Sequence, residues 1–119
     1  MKKILLVEDD EFLKQLYVDL LTKEKYAVTP VVEGNDAYKH IKSGGWDLIL
    51  LDVMLPGMTG FEILAKLKKE KVKYSKLIFM TNLDSTDKDK ALLKEADDYW
   101  IKSNIAPPEF IEKVKNALT

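Results

Sequence analysis

Two periods of apolar residues trade places along this chain. Lys3 to Val7 contains the unbroken run ILLV and predicts a buried strand, after which Phe12, Leu13, Leu16, Tyr17, Leu20 and Leu21 recur at helical spacing to about Lys25. Ala27 to Val32 is a weaker second strand. A short helix follows from about Asn35, its predicted N-cap, to Ser43, and Gly44 and Gly45 end it. Leu48 to Leu51 predicts the third strand, and Phe61, Leu64, Ala65 and Leu67 mark one apolar face of the third helix. Lys76 to Met80 is the fourth strand, ending at Thr81. After a polar turn, a fourth helix is expected from about Ser85 or Thr86 to Ala96, with Ala91 and Leu92 inward. Asp98 to Ile101 is the fifth strand. Pro107 and Pro108 open a last helix with Phe110, Ile111, Val114 and Leu118 facing the core.

Strands and helices in strict alternation imply βαβ units, right-handed crossovers and a parallel sheet covered on both faces. The expected fold class is therefore α/β, a doubly wound five-stranded parallel sheet with five helices. No linker, repeat or low-complexity stretch interrupts it, and 119 residues suffice for one core but not for a second unit of ordinary size. Residues 1–119 are expected to form one domain with no output domain in the chain. The start at Met1 and the end after a full last helix fit a complete single-domain protein slightly better than a fragment.

The strand ends carry the chemistry. Four apolar residues deliver Asp52 to the exit of the third strand, and the chain then turns through Pro56, Gly57 and Gly60. Glu8, Asp9 and Asp10 follow the first strand in the same way. If those strands are parallel neighbours, the acids share one edge of the sheet, where open α/β sheets bind their ligands. Carboxylates so close repel one another, so they hold protons at raised pKa or bind a cation. Oxygen ligands without His or Cys suit Mg2+.

Composition narrows the classes. The chain has no cysteine, which removes disulfides, thiolate metal sites and thiol nucleophiles. No secretory signal and no apolar run near the roughly 18 residues of a membrane span is visible, so the expected location is the cytoplasm, with no membrane partner. Nineteen basic against 20 acidic residues give a net charge of −1, and every basic residue is lysine. Without arginine's bidentate fork, direct nucleic-acid binding is not expected. Lysines 66, 68, 69, 71, 73 and 76 are interleaved with Leu67, Val72 and Leu77 and read as the wet face and exit of a helix. His40, the single histidine, lies far from the strand ends, and Trp100 is expected in the core.

Five features thus sit at or near strand ends: Glu8 with Asp9, Asp52, Thr81, Lys102, and Tyr99 three residues before the lysine. Thr81 alone would be a strand cap, Tyr99 core and Lys102 a surface charge; it is their coincidence that decides. The stretches ILLVEDD, LILLDVMLPGMTG, IFMTN and ADDYWIK, in this order, resemble the receiver domain of two-component response regulators over essentially the whole chain. The resemblance implies a flavodoxin-like strand order of 2-1-3-4-5. It implies that Asp52 accepts a phosphoryl group from a sensor histidine kinase, with Mg2+ held by Asp9, Asp52 and the Met54 backbone carbonyl and by Glu8 through water. Lys102 and Thr81 would contact the phosphoryl oxygens. Thr81 and Tyr99 would form the switch, biasing a face of the fourth helix, fifth strand and fifth helix toward a downstream protein or a phosphorylation-dependent homodimer. The activity implied is signal relay, not enzymatic turnover, beyond assisting its own phosphorylation and dephosphorylation.

The chain departs from the commonest pattern of that family. Ser103 stands where proline often follows the lysine with a cis bond; before a non-proline residue that form costs about 2.5–4 kcal/mol, so a trans, differently shaped loop is expected. The NIAPPEF segment is longer than the usual connection. Asn82 stands where a small residue is frequent, and its bulk is expected to narrow the approach to Asp52 and slow phosphotransfer or hydrolysis. These departures keep a degenerate, phosphorylation-independent interaction module as the alternative. A flavin carrier would need a hydroxyl- and glycine-rich phosphate loop where Glu8, Asp9 and Asp10 stand. An aspartate-nucleophile phosphatase would need a second aspartate at Met54.

Overall fold

In the computed structural model the chain forms β1 (Lys3–Val7), α1 (Glu11–Lys23), β2 (Ala27–Val31), α2 (Gly34–Ser43), β3 (Leu48–Asp52), α3 (Gly60–Lys69), β4 (Lys76–Thr81), α4 (Asp87–Leu93), β5 (Asp98–Ile101), a 3-10 turn (Lys102–Asn104) and α5 (Pro107–Ala117). The structure describes residues 1–82 and 87–119; the expected start of the fourth helix at Ser85 or Thr86 lies outside the described residues. All five strands are parallel, in the order β2-β1-β3-β4-β5. This is the doubly wound α/β fold, with β1 and β3 adjacent as the acidic strand ends require.

Alternation along the strands divides the core by residue parity. Leu5, Val7, Ile49, Leu51, Leu77 and Phe79 pack under α2, α3 and α4. Ile4, Leu6, Leu48, Leu50, Ile78, Met80 and Trp100 pack under α1 and α5, where Tyr17 stacks on Phe110 at 4.6 Å. The central strands read as continuous apolar runs because both faces are covered. β2 is weaker because it is an edge: Pro30, opposite Leu6, is exposed and has no N–H to give to a further strand.

Several helical faces differ from those the spacing predicts. Phe12 is 76% exposed, because the buried stripe of α1 runs through Tyr17 and Leu21 and Phe12 lies off it. On α3, Ile63 is buried and Ala65 exposed; on α4, Leu93 is buried while Ala91 and Leu92 are exposed. Each error is a rotation of about one residue, the step that separates neighbouring positions by about 100° on a helix. α4 also ends at Leu93 rather than Ala96. The N-cap of α2 is Glu33, not Asn35: the Glu33 carboxylate accepts from the backbone N–H groups of Asn35 and Asp36 and is held below its ordinary pKa, first by the Asp36 bond.

The turn after β3 is clamped to the start of α2. The Gly34 N–H donates to Pro56 O at 3.0 Å, and a Cβ at Gly34 would lie 1.8 Å from the Met58 carbonyl oxygen. Gly34→Ala should therefore destabilise the fold by about 1–3 kcal/mol in urea denaturation, because backbone rather than a flexible side chain must yield. Ala65→Ser, on the exposed side of α3, should stay within about 0.5 kcal/mol of the parent.

Candidate functional site

The parity that divides the core also assembles the site. Glu8 continues the Ile4–Leu6 column, Asp52 continues Leu48–Leu50, and Lys102 lies two residues beyond Trp100, so all three extend the α1–α5 side past the carboxyl ends of the strands. Register completes the alignment: Leu6 lies opposite Leu50, Asp52 opposite Met80, and Met80 opposite Trp100. A slip of one residue in β3 would turn Asp52 to the other face.

Lys102 Nζ lies 2.7 Å from Glu8 Oε1 and 2.9 Å from Asp52 Oδ2. Only 2% of Glu8 and 4% of Asp52 is exposed. The other Glu8 oxygen accepts the Asp10 N–H at 3.2 Å. Asp10 itself is committed to the scaffold as N-cap of α1, its carboxylate accepting the Leu13 N–H at 2.9 Å. Asp9 is exposed beside the pair. One oxygen each from Glu8, Asp9 and Asp52 comes within 4.8 Å of the others.

Charge dictates how these groups sit. Burial raises the pKa of Glu8 above its ordinary 4.5, and the nearby Asp52 adds to the rise while the Lys102 hydrogen bond opposes it. Burial alone would lower Lys102, but its bonds to Glu8 and Asp52 more than offset this, so its pKa is raised. Among the described residues, one ammonium faces three carboxylates. The surplus negative charge and the all-oxygen donor set fit a small hard divalent cation, Mg2+ above all.

The turn from β3 to α3 holds Asp52 in place. Val53 N–H donates to Met80 O at 3.3 Å and Gly60 N–H to Val53 O at 2.8 Å. A Cβ at Gly60 would lie 2.5 Å from the Asp52 carbonyl oxygen, so α3 can begin this close to the acid only with glycine there. Thr59 and Glu62 form a reciprocal capping box at that helix start.

Each sequence-predicted residue has a definite place. Met54 is 61% exposed at the rim of an open cavity of about 300 Å³, lined also by Glu8, Asp9, Asp52, Asn82 and Lys102. Thr81 is fully buried at the end of β4, opposite Ile101. Tyr99 lies opposite Phe79, half-buried against the α2–α4 side of the core, on the same face of the sheet as Thr81. Trp100 is in the core, 4% exposed. His40 is away from the site, its Nδ1 2.8 Å from Asp36 O and its carbonyl accepting from Trp46 Nε1. Sequence reasoning missed one contact: the Ser103 N–H donates to Asn82 Oδ1 at 3.0 Å. The only signal for it was that both residues are unusual at their positions. No peptide bond among the described residues is cis, in line with a trans loop at Ser103.

Comparison with known proteins agrees with this geometry. The family model described as response regulator receiver domain matches residues 4–115. The transcriptional regulatory protein TcrA of Mycobacterium tuberculosis is 37% identical over 100 residues, which is 84% of this chain and 40% of that protein. The alkaline phosphatase synthesis transcriptional regulatory protein PhoP of Bacillus subtilis is 35% identical over 117 residues, 98% of this chain and 48% of that protein. The chain thus spans less than half the length of these two relatives. Among solved structures, the response regulator TrrA of Thermotoga maritima in complex with Mg2+-BeF superposes with a TM-score of 0.84 at 34% identity, covering 99% of this chain and all (100%) of that one. No helix among the described residues is long and apolar enough to cross a membrane.

The raised pKa of Glu8 sets a pH dependence for metal binding. A proton on Glu8 removes a charge from the cluster and competes with the cation, so Mg2+ affinity measured by titration calorimetry should begin to fall, as pH is lowered, above the ordinary carboxylate value of 4.5. Glu8→Gln should bind Mg2+ more weakly at neutral pH and lose that part of the pH dependence. Because the Lys102 bond lowers Glu8, Lys102→Ala should move the Glu8 carboxyl titration, followed by carbon NMR, further upward.

Proposed function

The chain belongs to the response regulator receiver family, and on that premise we propose that Asp52 is its phosphoacceptor, taking a phosphoryl group from the phosphohistidine of a sensor histidine kinase. The observation that carries the proposal is the placement of Asp52: a nearly buried carboxylate at a strand end, hydrogen-bonded to Lys102 and opening on the cavity shared with Glu8 and Asp9. In the transfer, an Asp52 oxygen attacks phosphorus, the phosphorus–nitrogen bond of the donor breaks, and the imidazole leaves with a proton. The product is an acyl phosphate, which water can later cleave to reset the site.

Asp9, Asp52 and the Met54 carbonyl would hold Mg2+ directly, with Glu8 acting through water. When bound, the ion neutralises charge on the transferring phosphoryl group. The chain's own residues do the rest. Lys102 is already poised at the acceptor and offers its ammonium to a phosphoryl oxygen. Glu8 holds that ammonium on the α1–α5 side of the sheet, and the clamped β3–α3 turn keeps the acceptor from moving. The Thr81 hydroxyl donates to another phosphoryl oxygen, and its inward movement lets Tyr99, on the same face, turn from half-buried to buried. That change alters the surface of α4, β5 and α5, where a downstream protein or a second copy of the chain docks. Its action is relay between proteins in the cytoplasm rather than substrate turnover, with no direct contact to nucleic acid. Residues 1–119 are one receiver domain, and no output domain lies within them.

Intact mass after incubation with a small phosphodonor tests the reading. One phosphoryl adduct should form in the native chain with Mg2+, and none without Mg2+ or in Asp52→Asn. Lys102→Ala should slow the reaction by about 100-fold in the fraction of the variant that circular dichroism shows to be folded. A folded chain that takes no phosphoryl group from a donor active on another receiver would instead make this a phosphorylation-independent interaction module.

A further inference from the structure

Lys102 reaches Glu8 and Asp52 from a chain segment that has left the sheet. β5 ends at Ile101, and Lys102 opens a 3-10 turn that has no side-chain cap from its preceding residue. Backbone N–H groups at such a start need an acceptor from elsewhere. For Ser103, the residue after the lysine, that acceptor is Oδ1 of Asn82 at 3.0 Å. Because β4 and β5 run parallel with Thr81 opposite Ile101, their exits leave the sheet side by side. The Asn82 carboxamide therefore continues the ladder one step past the last backbone pair.

We infer that Asn82 is a positioning residue for Lys102: by holding the Ser103 N–H it fixes the turn that aims the ammonium at Asp52. The two positions that look unusual in the sequence are then one device, since a proline at 103 would have no N–H to donate. The bond also ties the residue after Thr81 to the residue after Lys102, so the two exits move together. This reverses the expectation from side-chain bulk. If Asn82 acted by narrowing the approach to Asp52, trimming it would speed phosphorylation; acting through Lys102, trimming it slows the reaction.

The inference rests on the proposed function for its kinetic readout only. Amide exchange followed by NMR on the unphosphorylated protein should show the Ser103 N–H exchanging about 10-fold faster in Asn82→Ala and nearly as slowly as the parent in Asn82→Asp, which keeps the acceptor. The Lys102 Nζ and Glu8 carboxyl resonances should shift in Asn82→Ala. Phosphorylation by a small donor should slow about 5-fold in Asn82→Ala, the scale of one hydrogen bond, and Asn82→Ala should add nothing in a Lys102→Ala background. Unchanged Ser103 exchange, faster phosphorylation, or an equal slowing in both backgrounds would each overturn the inference. A parent chain that takes no phosphoryl group would overturn the proposed function instead, and the two NMR readings would then decide the role of Asn82.

Discussion

Charge crowding at one edge of the sheet is the constraint on which this structure depends. β1 and β3 are neighbours, so the carboxylates they deliver lie within a few Å of one another, and burial makes their repulsion harder to screen. Lys102, contributed by the far end of the chain, is the group that makes the arrangement tolerable: its single ammonium bonds both Glu8 and Asp52. The pair is nearly water-free, and a buried ion pair is weak evidence for stability because desolvation offsets much of the attraction. Its value here is placement. It holds a cation next to Asp52 at the wall of the cavity, and it leaves enough negative charge to attract a second, divalent one.

The scaffold around this edge is close-packed behind β1 and β3 and tied by side-chain bonding at the exits of β4 and β5. Behind the acids stand fully buried strands, a capping box and two glycines at which the backbone approaches too closely for a side chain. These features fix Asp52 and the β3–α3 turn. On the other side, a side-chain hydrogen bond from the Ser103 N–H to Asn82 joins the exits of β4 and β5, and Tyr99 lies half-buried beside them.

Much of the fold was legible because two signals agreed. Unbroken apolar runs marked strands covered on both faces, and helical spacing marked the elements between them. The acids at the ends of β1 and β3 were legible as a pair once the sheet was taken as parallel. Helix orientation is carried less fully: the spacing turns Phe12, Ala65 and Leu92 inward, and all three are exposed. Periodicity says that a stripe exists, while the sheet it packs on selects which of two neighbouring stripes is buried. The α2 cap differs from the predicted Asn35 for a similar reason. Glu33 wins over Asn35 because Gly34 is drawn against Pro56 and Met58, which are distant in sequence.

The order and kind of the elements, the α/β class and the identity of the acidic, hydroxyl and amino groups at the strand ends follow from local spacing and residue chemistry. Which of those groups meet is settled by the folded chain alone. Glu8 and Lys102 stand 94 residues apart and bond at 2.7 Å, Asp10 is withdrawn from the cluster to cap α1, and Asn82 finds the Ser103 N–H across two parallel strand exits. Strand register and chain crossover set those distances, and neither is carried by the pattern of any single segment.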